Sequence, residues 1–149
     1  MSGENNLVLV DTSVWIEYFR NPESEAAATL NDILDDHEIC VPKIVLAELM
    51  QGAKSAKELA VIEDFFDAFQ IIDQSGGTWM EAGRLAYELK KKGKTIHLLD
   101  SYLAVIAKEH SCSIFTLNRH FQEIRGDMLF PFTPSRAIPK ISIFWCSRQ

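Results

Sequence analysis

Hydrophobic and polar positions along the chain follow two alternating periods. Short apolar runs bounded by charges or turn residues recur at Leu7–Val10, Glu38–Pro42, Ile71–Asp73 and Ser113–Leu117. They are too short for helices and rich in β-branched residues, so they predict strands, the first buried on both faces. Between them the apolar positions recur at three and four residues, which predicts helices. These cover Val14–Arg20, Glu25–Asp36, Lys43–Gln51 with Gly52 as its cap, and Ala56–Phe69. Beyond them come Trp79–Lys92, ended by Gly93, and the most apolar helix, Leu98–His110. A short helix over Asn118–Arg125 follows, and Met128–Phe132 is the candidate for a fifth strand. Strands alternating with helices predict βαβ units and an α/β fold in three layers, a mostly parallel sheet covered on both faces.

The 149 residues suit one domain with a proper core, residues 1–149. No apolar run approaches the roughly 20 residues of a membrane span, so no membrane association is expected. Met1–Asn6 carries neither a basic region nor an apolar signal core, which predicts a cytoplasmic protein. Cys40, Cys112 and Cys146 are scattered and odd in number, against a disulfide framework or a zinc site, and Cys40 and Cys112 read as core thiols. A net charge of −6 excludes a protein that grips nucleic acid by a broad basic face. It leaves room for an enzyme that meets phosphates through a divalent cation, which needs clustered carboxylates.

Three acids stand at addresses that surface decoration does not explain. Asp11 ends the first strand, at the carboxyl end where open α/β sheets hold ligands. Thr12 or Ser13 is then placed to cap the following helix. Glu48 lies in a helix among Leu46, Leu49 and Met50, and Asp100 opens the most apolar helix. For each alone a structural role is as good: a cap for Asp11, a wet seam for Glu48, a dipole-favoured first-turn acid for Asp100. Carboxylates gathered at strand ends repel one another unless a cation lies between them.

In these residues the chain resembles the PIN-domain ribonucleases of the VapC toxin type. The likeness is carried by Val10-Asp11-Thr12-Ser13-Val14-Trp15-Ile16 and by Leu46-Ala47-Glu48-Leu49-Met50-Gln51-Gly52. Further along it is carried by Gly93-Lys94-Thr95-Ile96 with Asp100-Ser101-Tyr102-Leu103-Ala104-Val105-Ile106-Ala107, and by Thr116-Leu117-Asn118-Arg119-His120-Phe121. It spans Leu7 to Phe132. The resemblance implies a central five-stranded parallel sheet. It also implies a metal-dependent RNA phosphodiesterase, usually a homodimer, neutralised by a co-expressed cognate antitoxin. Asp11, Glu48 and Asp100 match the first three acids of that family's site. The fourth position departs from it, with Asn118 and His120 in place of an acid. Asn118 adds no charge, yet its amide can hold a metal-bound water or a phosphate; as a helix cap it is equally at home. Thr116 is placed to bond to the Asp11 loop. Pro134, Pro139 and the apolar Ile141–Cys146 lie beyond the likeness, as an extra edge strand or a subunit contact.

The chemistry these residues suit is hydrolysis of an RNA phosphodiester by a metal-activated water. Mg²⁺ or Mn²⁺ takes oxygen ligands and keeps several waters, so Asp11 and Asp100 suffice as protein ligands. Glu48 then orients or deprotonates the water, or holds a second ion. Thr12 and Ser13 present N–H groups to a phosphate at a helix N-terminus, and Thr116 completes the expected substrate contacts. An aspartyl-phosphate phosphatase is a rival, but it needs a second Asp where Ser13 stands. A catalytically weak PIN-like module that binds RNA or protein is the other, and Asn118 favours it.

Overall fold

The computed structural model of the chain describes residues 7–118 and 121, and the backbone of 143–145. Its elements run β1 (Leu7–Val10), α1 (Thr12–Arg20), α2 (Glu25–Asp36), β2 (Glu38–Pro42), α3 (Lys43–Gln51) and α4 (Ala56–Phe66). They continue with β3 (Gln70–Ile72), α5 (Thr78–Lys91), α6 (Leu98–Glu109), β4 (Ser113–Thr116) and β5 (Ile143–Trp145). The five strands form one sheet in the order β3-β2-β1-β4-β5, and every pairing is parallel. β1 is central. Val8, Leu9 and Val10 are at most 1% exposed, which is why its sequence is apolar without alternation.

The helices follow from capping and periodicity. Ser24 and Ser55 accept hydrogen bonds from the Ala27 and Glu58 amides, starting α2 and α4. Gly52 stands at the C-cap of α3, as expected. α1 packs on α2 and α3, and α3 on α4, while α5 and α6 pack on each other. Together they cover the sheet in the expected three-layer α/β/α arrangement. Cys40 and Cys112 are buried thiols with no disulfide between them.

Several boundaries differ from the expectation. α1 begins at Thr12 rather than Val14, so Thr12 and Ser13 lie inside the helix and Asp11 takes the N-cap position. Neither hydroxyl therefore caps. Both serve tertiary partners instead. α4 stops at Phe66, short of Phe69, because the chain turns there into β3. In the tail, β5 adds to the β4 edge within the Ile141–Cys146 stretch, which is the extra edge strand that stretch offered. The expected strand Met128–Phe132, the helix beyond Asn118 apart from Phe121, and His120 and Cys146 lie outside the described residues. No helix among the described residues is long and apolar enough to cross a membrane.

Candidate active site at the carboxyl end of the sheet

The chain leaves β1 toward β2 and β3 on one side, then crosses back through α5 and α6 to place β4 on the other side of β1. The carboxyl ends of β1 and β4 flank the point where strand order reverses, and ligand crevices of open α/β sheets form there. Asp11 follows β1 at that point. Its backbone N–H donates to the Phe115 carbonyl at 2.9 Å, extending the β1–β4 ladder by one bond.

Asp11 is 6% exposed. Its Oδ2 accepts two short hydrogen bonds, from Ser13 Oγ and from Thr116 Oγ1, both at 2.8 Å. Each hydroxyl also accepts from the backbone beyond β4: Thr116 Oγ1 from the Asn118 N–H at 2.9 Å and Ser13 Oγ from the Leu117 N–H at 3.3 Å. Donation from each amide polarises the hydroxyl that faces the carboxylate. The two hydroxyls thus lock the loop after β4 onto the end of β1. Asp11 makes no cap hydrogen bond of its own.

The remaining candidates arrive from two other elements. Thr12 Oγ1 donates to Glu48 Oε1 at 3.2 Å, joining α1 to α3. Asn118 Nδ2 donates to Asp100 Oδ2 at 3.3 Å, joining the β4 loop to the first turn of α6. Asp11 titrates above the ordinary carboxylate range because burial penalises its charge. The Thr116 and Ser13 hydroxyls, and the nearby Thr12 and Ser13 amides, oppose that penalty without cancelling it. Glu48 is raised as well. Partial burial is the main cause, the Thr12 hydroxyl pulls the other way, and the charges of Asp11 and Asp100 add to the rise. Asp11, Glu48 and Asp100 therefore share one electrostatic field.

Such a set suits a cation with oxygen ligands. Its donors are carboxylates, an amide and hydroxyls, without sulfur or imidazole, the preference of Mg²⁺ or Mn²⁺ rather than zinc. Among the described residues no group of three or more His, Cys, Asp or Glu side chains is gathered tightly enough to enclose a metal. Two carboxylates with waters completing the shell fit this arrangement, and a closed protein cage does not.

Ser13 and Thr116 come to the site as expected, but their hydroxyls face Asp11. Thr12 also comes, facing Glu48. The hydroxyl contacts were not legible locally, since Asp11 and Thr116 are 105 residues apart. One surface was missed. Phe19 and Arg20 of α1 and Lys54, Lys57, Val61 and Ile62 near or in α4 line a groove of about 580 Å³. A recess of about 40 Å³ shares Phe19, Arg20 and Ile62 with it and reaches Glu48. Its sequence signal was the small group of basic residues beside exposed Val61 in an acidic chain.

The sequence profile of the PIN domain family matches residues 8–127. A tRNA(fMet)-specific endonuclease VapC of Shigella flexneri is 26% identical over 123 residues, covering 79% of this chain and 92% of that protein. Ribonuclease VapC19 of Mycobacterium tuberculosis is 30% identical over 115 residues, covering 76% of this chain and 90% of the relative. Among solved structures, DNA-bound VapBC from Salmonella typhimurium aligns with a TM-score of 0.68 at 25% identity, over 93% of this chain and 96% of that one. VapBC2 from Rickettsia felis, bound to a promoter DNA fragment, reaches 0.71 at 22% identity, over 95% and 99%. At that identity the second likeness speaks for the fold.

Proposed function

Because the chain belongs to the PIN-domain family, we propose that it is a divalent-metal-dependent endoribonuclease, the toxin of a toxin–antitoxin pair working in the cytoplasm. The observation that supports this most is the shared field of Asp11, Glu48 and Asp100 at the switch point of the sheet. The names of the relatives, ribonucleases in each case, point the same way.

In this reading Asp11 and Asp100 hold the cation. A divalent cation held there would supply a lowered water pKa and neutralise phosphate charge. Asp11 is held in one orientation by Ser13 and Thr116, so its cost of ordering is met by folding rather than by substrate. Glu48, raised towards neutrality by burial and its acidic neighbours, is the group suited to take a proton from the attacking water. Thr12 steadies that carboxylate. Asn118 orients Asp100 through its amide.

A cognate antitoxin and a second copy of the chain are the partners in this proposal. The groove beside α4 suits an apolar inhibitor segment with mixed charges, because Arg20, Lys54 and Lys57 border it together with Glu58. The recess that reaches Glu48 gives a basic side chain from that segment a path to the acids.

The test is cleavage of a mixed RNA pool by the wild type, Asp11→Asn and Asp100→Asn, with Mg²⁺, Mn²⁺ or EDTA. Cleavage in the wild type only with metal is expected. A loss of about 10²-fold or more is expected in each variant, the several kcal/mol a positioned metal contributes. Full activity in EDTA, or in either variant, overturns the reading. RNA bound under all conditions and cleaved under none assigns the chain to the binding module that the uncharged Asn118 favours.

A further inference from the structure

The α5–α6 pair carries an aromatic feature that the acidic site does not use. Trp79, the second residue of α5, is 40% exposed. Its ring lies nearly parallel to that of Tyr102 on α6, with centroids 4.3 Å apart and an interplanar angle of 22°. The indole Nε1–H donates to Gln74 Oε1 at 2.8 Å, and the same oxygen accepts from the Tyr102 hydroxyl at 3.1 Å. Tyr102 is 1% exposed, so it backs the indole from the interior. Stacking and a hydrogen bond thus fix Trp79 in position and in tilt.

Strand register places this feature at the same end of the sheet as the acids. Leu9 pairs with Cys40 and Cys40 with Gln70, and Pro42 pairs with Ile72. Two residues past Leu9, Asp11 is therefore level with Pro42 and Ile72, two strands and roughly 10 Å from the latter. Asp73 and Gln74 continue from there. Lys43 Nζ and Asp73 Oδ2, 3.1 Å apart, tie the exits of β2 and β3 together. Asp100 and Tyr102 both lie near the start of α6, on different faces of the helix. Leu98 and Leu99, 49% and 39% exposed, occupy the same first turn.

Two further facts narrow what such a ring meets. The polar handle of the indole, its N–H, is already engaged by the Gln74 side chain. What remains accessible is a π-surface without a hydrogen-bonding preference, whereas protein interfaces draw on the N–H as well. The chain also has a net charge of −6. Counter-ion release, the usual source of affinity for nucleic acid, is therefore weak here, and other contacts must hold an RNA strand. Base–aromatic stacking is such a contact, and it tolerates any base.

We propose that Trp79 is a stacking platform for one base of a single-stranded RNA whose backbone passes the Asp11–Glu48–Asp100 site. This rests on the ribonuclease reading for the identity of the strand. Gln74 and Tyr102 act as positioning residues that preorganise the ring.

The test uses the full chain in an Asp11→Asn background, which prevents cleavage, and a fluorescein-labelled RNA dodecamer of mixed sequence in Mg²⁺. Trp79→Ala and Trp79→Leu are expected to weaken binding about 5- to 150-fold, the ~1–3 kcal/mol of one stacked base at 1.4 kcal/mol per tenfold. Trp79→Phe restores most of it. The slope of log affinity against log salt stays unchanged, because no phosphate contact is lost. Trp79→Leu keeps the apolar cover of Tyr102, so it decides the matter if the alanine variant fails to fold. Unchanged affinity in Trp79→Leu overturns the proposal. So does a change in sedimentation mass without a change in RNA affinity, which assigns the ring to a contact between copies. Loss of RNA binding in Trp79→Leu, with a Trp79 wild type that cleaves nothing, sinks the ribonuclease reading and keeps the platform. Metal-dependent cleavage with unchanged binding in Trp79→Leu does the reverse.

Discussion

Asp11 and Trp15 are four residues apart on the first turn of one helix, and both are almost withdrawn from water, at 6% and 0% exposure. Burial acts on them in opposite directions. Around Trp15 it brings Phe66, Phe65 and Phe69 to ring-centroid distances of 4.9, 5.6 and 5.8 Å, with Tyr18 and Phe19 just beyond. Edge-to-face contacts of this kind add to the hydrophobic gain of taking a large ring out of water. Around Asp11 burial raises the energy of the charge, and two hydroxyls and two amide dipoles only reduce that cost. At this one end of α1, Trp15 holds the fold together while Asp11 stores a carboxylate in a condition that a cation would relieve.

The largest effect should come from breaking that contrast at the aromatic side. Trp15→Ala is expected to cost about 3–5 kcal/mol, as for other large-to-small changes at fully buried aromatic positions. That is a large share of the ~5–15 kcal/mol stability of an ordinary domain. Asp11→Asn removes the penalised charge and is expected to melt at the same temperature as the wild type or higher in EDTA. Thermal melting of both variants in EDTA checks the pair. An Asp11→Asn chain destabilised as much as Trp15→Ala would mean that the carboxylate is structural, and the contrast would collapse.

A pH series sharpens it next. Asp11 and Glu48 are both raised above their unfolded values of 3.8 and 4.5. An acid raised by folding binds its proton more tightly in the native state, so it contributes no penalty below the unfolded value. The penalty grows as pH rises through that value and is complete above the folded one. Metal-free wild type is therefore expected to gain stability as pH falls through the folded values of the two acids towards 4.5 and 3.8. Asp73, lowered by its Gln74 amide and Lys43, acts oppositely but is exposed and begins to lose its contribution only nearer 3.8. In Asp11→Asn the gain should shrink. Melting temperature against pH in EDTA measures it, and parallel curves for the two proteins would remove Asp11 as the cause.

How far these features were legible follows from the range of each interaction. The Leu7–Val10 run and the periodicity of Leu98–His110 are local, and both elements formed where the pattern put them. Asp11, Glu48 and Asp100 stood out because each is an acid at an apolar address. The hydroxyl contacts were illegible in detail, since Thr12 meets Glu48 across 36 residues and Ser13 meets Leu117 across 104. A capping residue and a first-turn residue also look alike in sequence, so α1 was expected to start two residues late. The register of the tail strand shows the same limit. Met128–Phe132 and Ile141–Cys146 are both short apolar stretches, and pairing of Ile114 with Ile143 depends on the return path of the chain, which no local pattern records.

The smallest expected effect tests whether the field at Asp11 extends to Asn118, the uncharged side chain that meets Asp100. Asn118 Nδ2 donates to Asp100 Oδ2 at 3.3 Å, while its backbone N–H serves Thr116 and its carbonyl accepts from the Phe121 N–H. Asn118→Asp keeps the backbone bonds and the shape. It exchanges a donor facing Asp100 for a like charge, so the metal-free protein should lose about 1 kcal/mol, roughly 2–4 °C of melting temperature. The added carboxylate also strengthens attraction for a cation, so the Mg²⁺-dependent rise in melting temperature should exceed that of the wild type. If the side chain serves only the turn after β4, Asp is as good a capping residue as Asn. Both the metal-free stability and the Mg²⁺ response would then stay where they are. Calorimetric Mg²⁺ titration beside the melts separates the cases, and an unmoved affinity places Asn118 with the turn rather than with the acids.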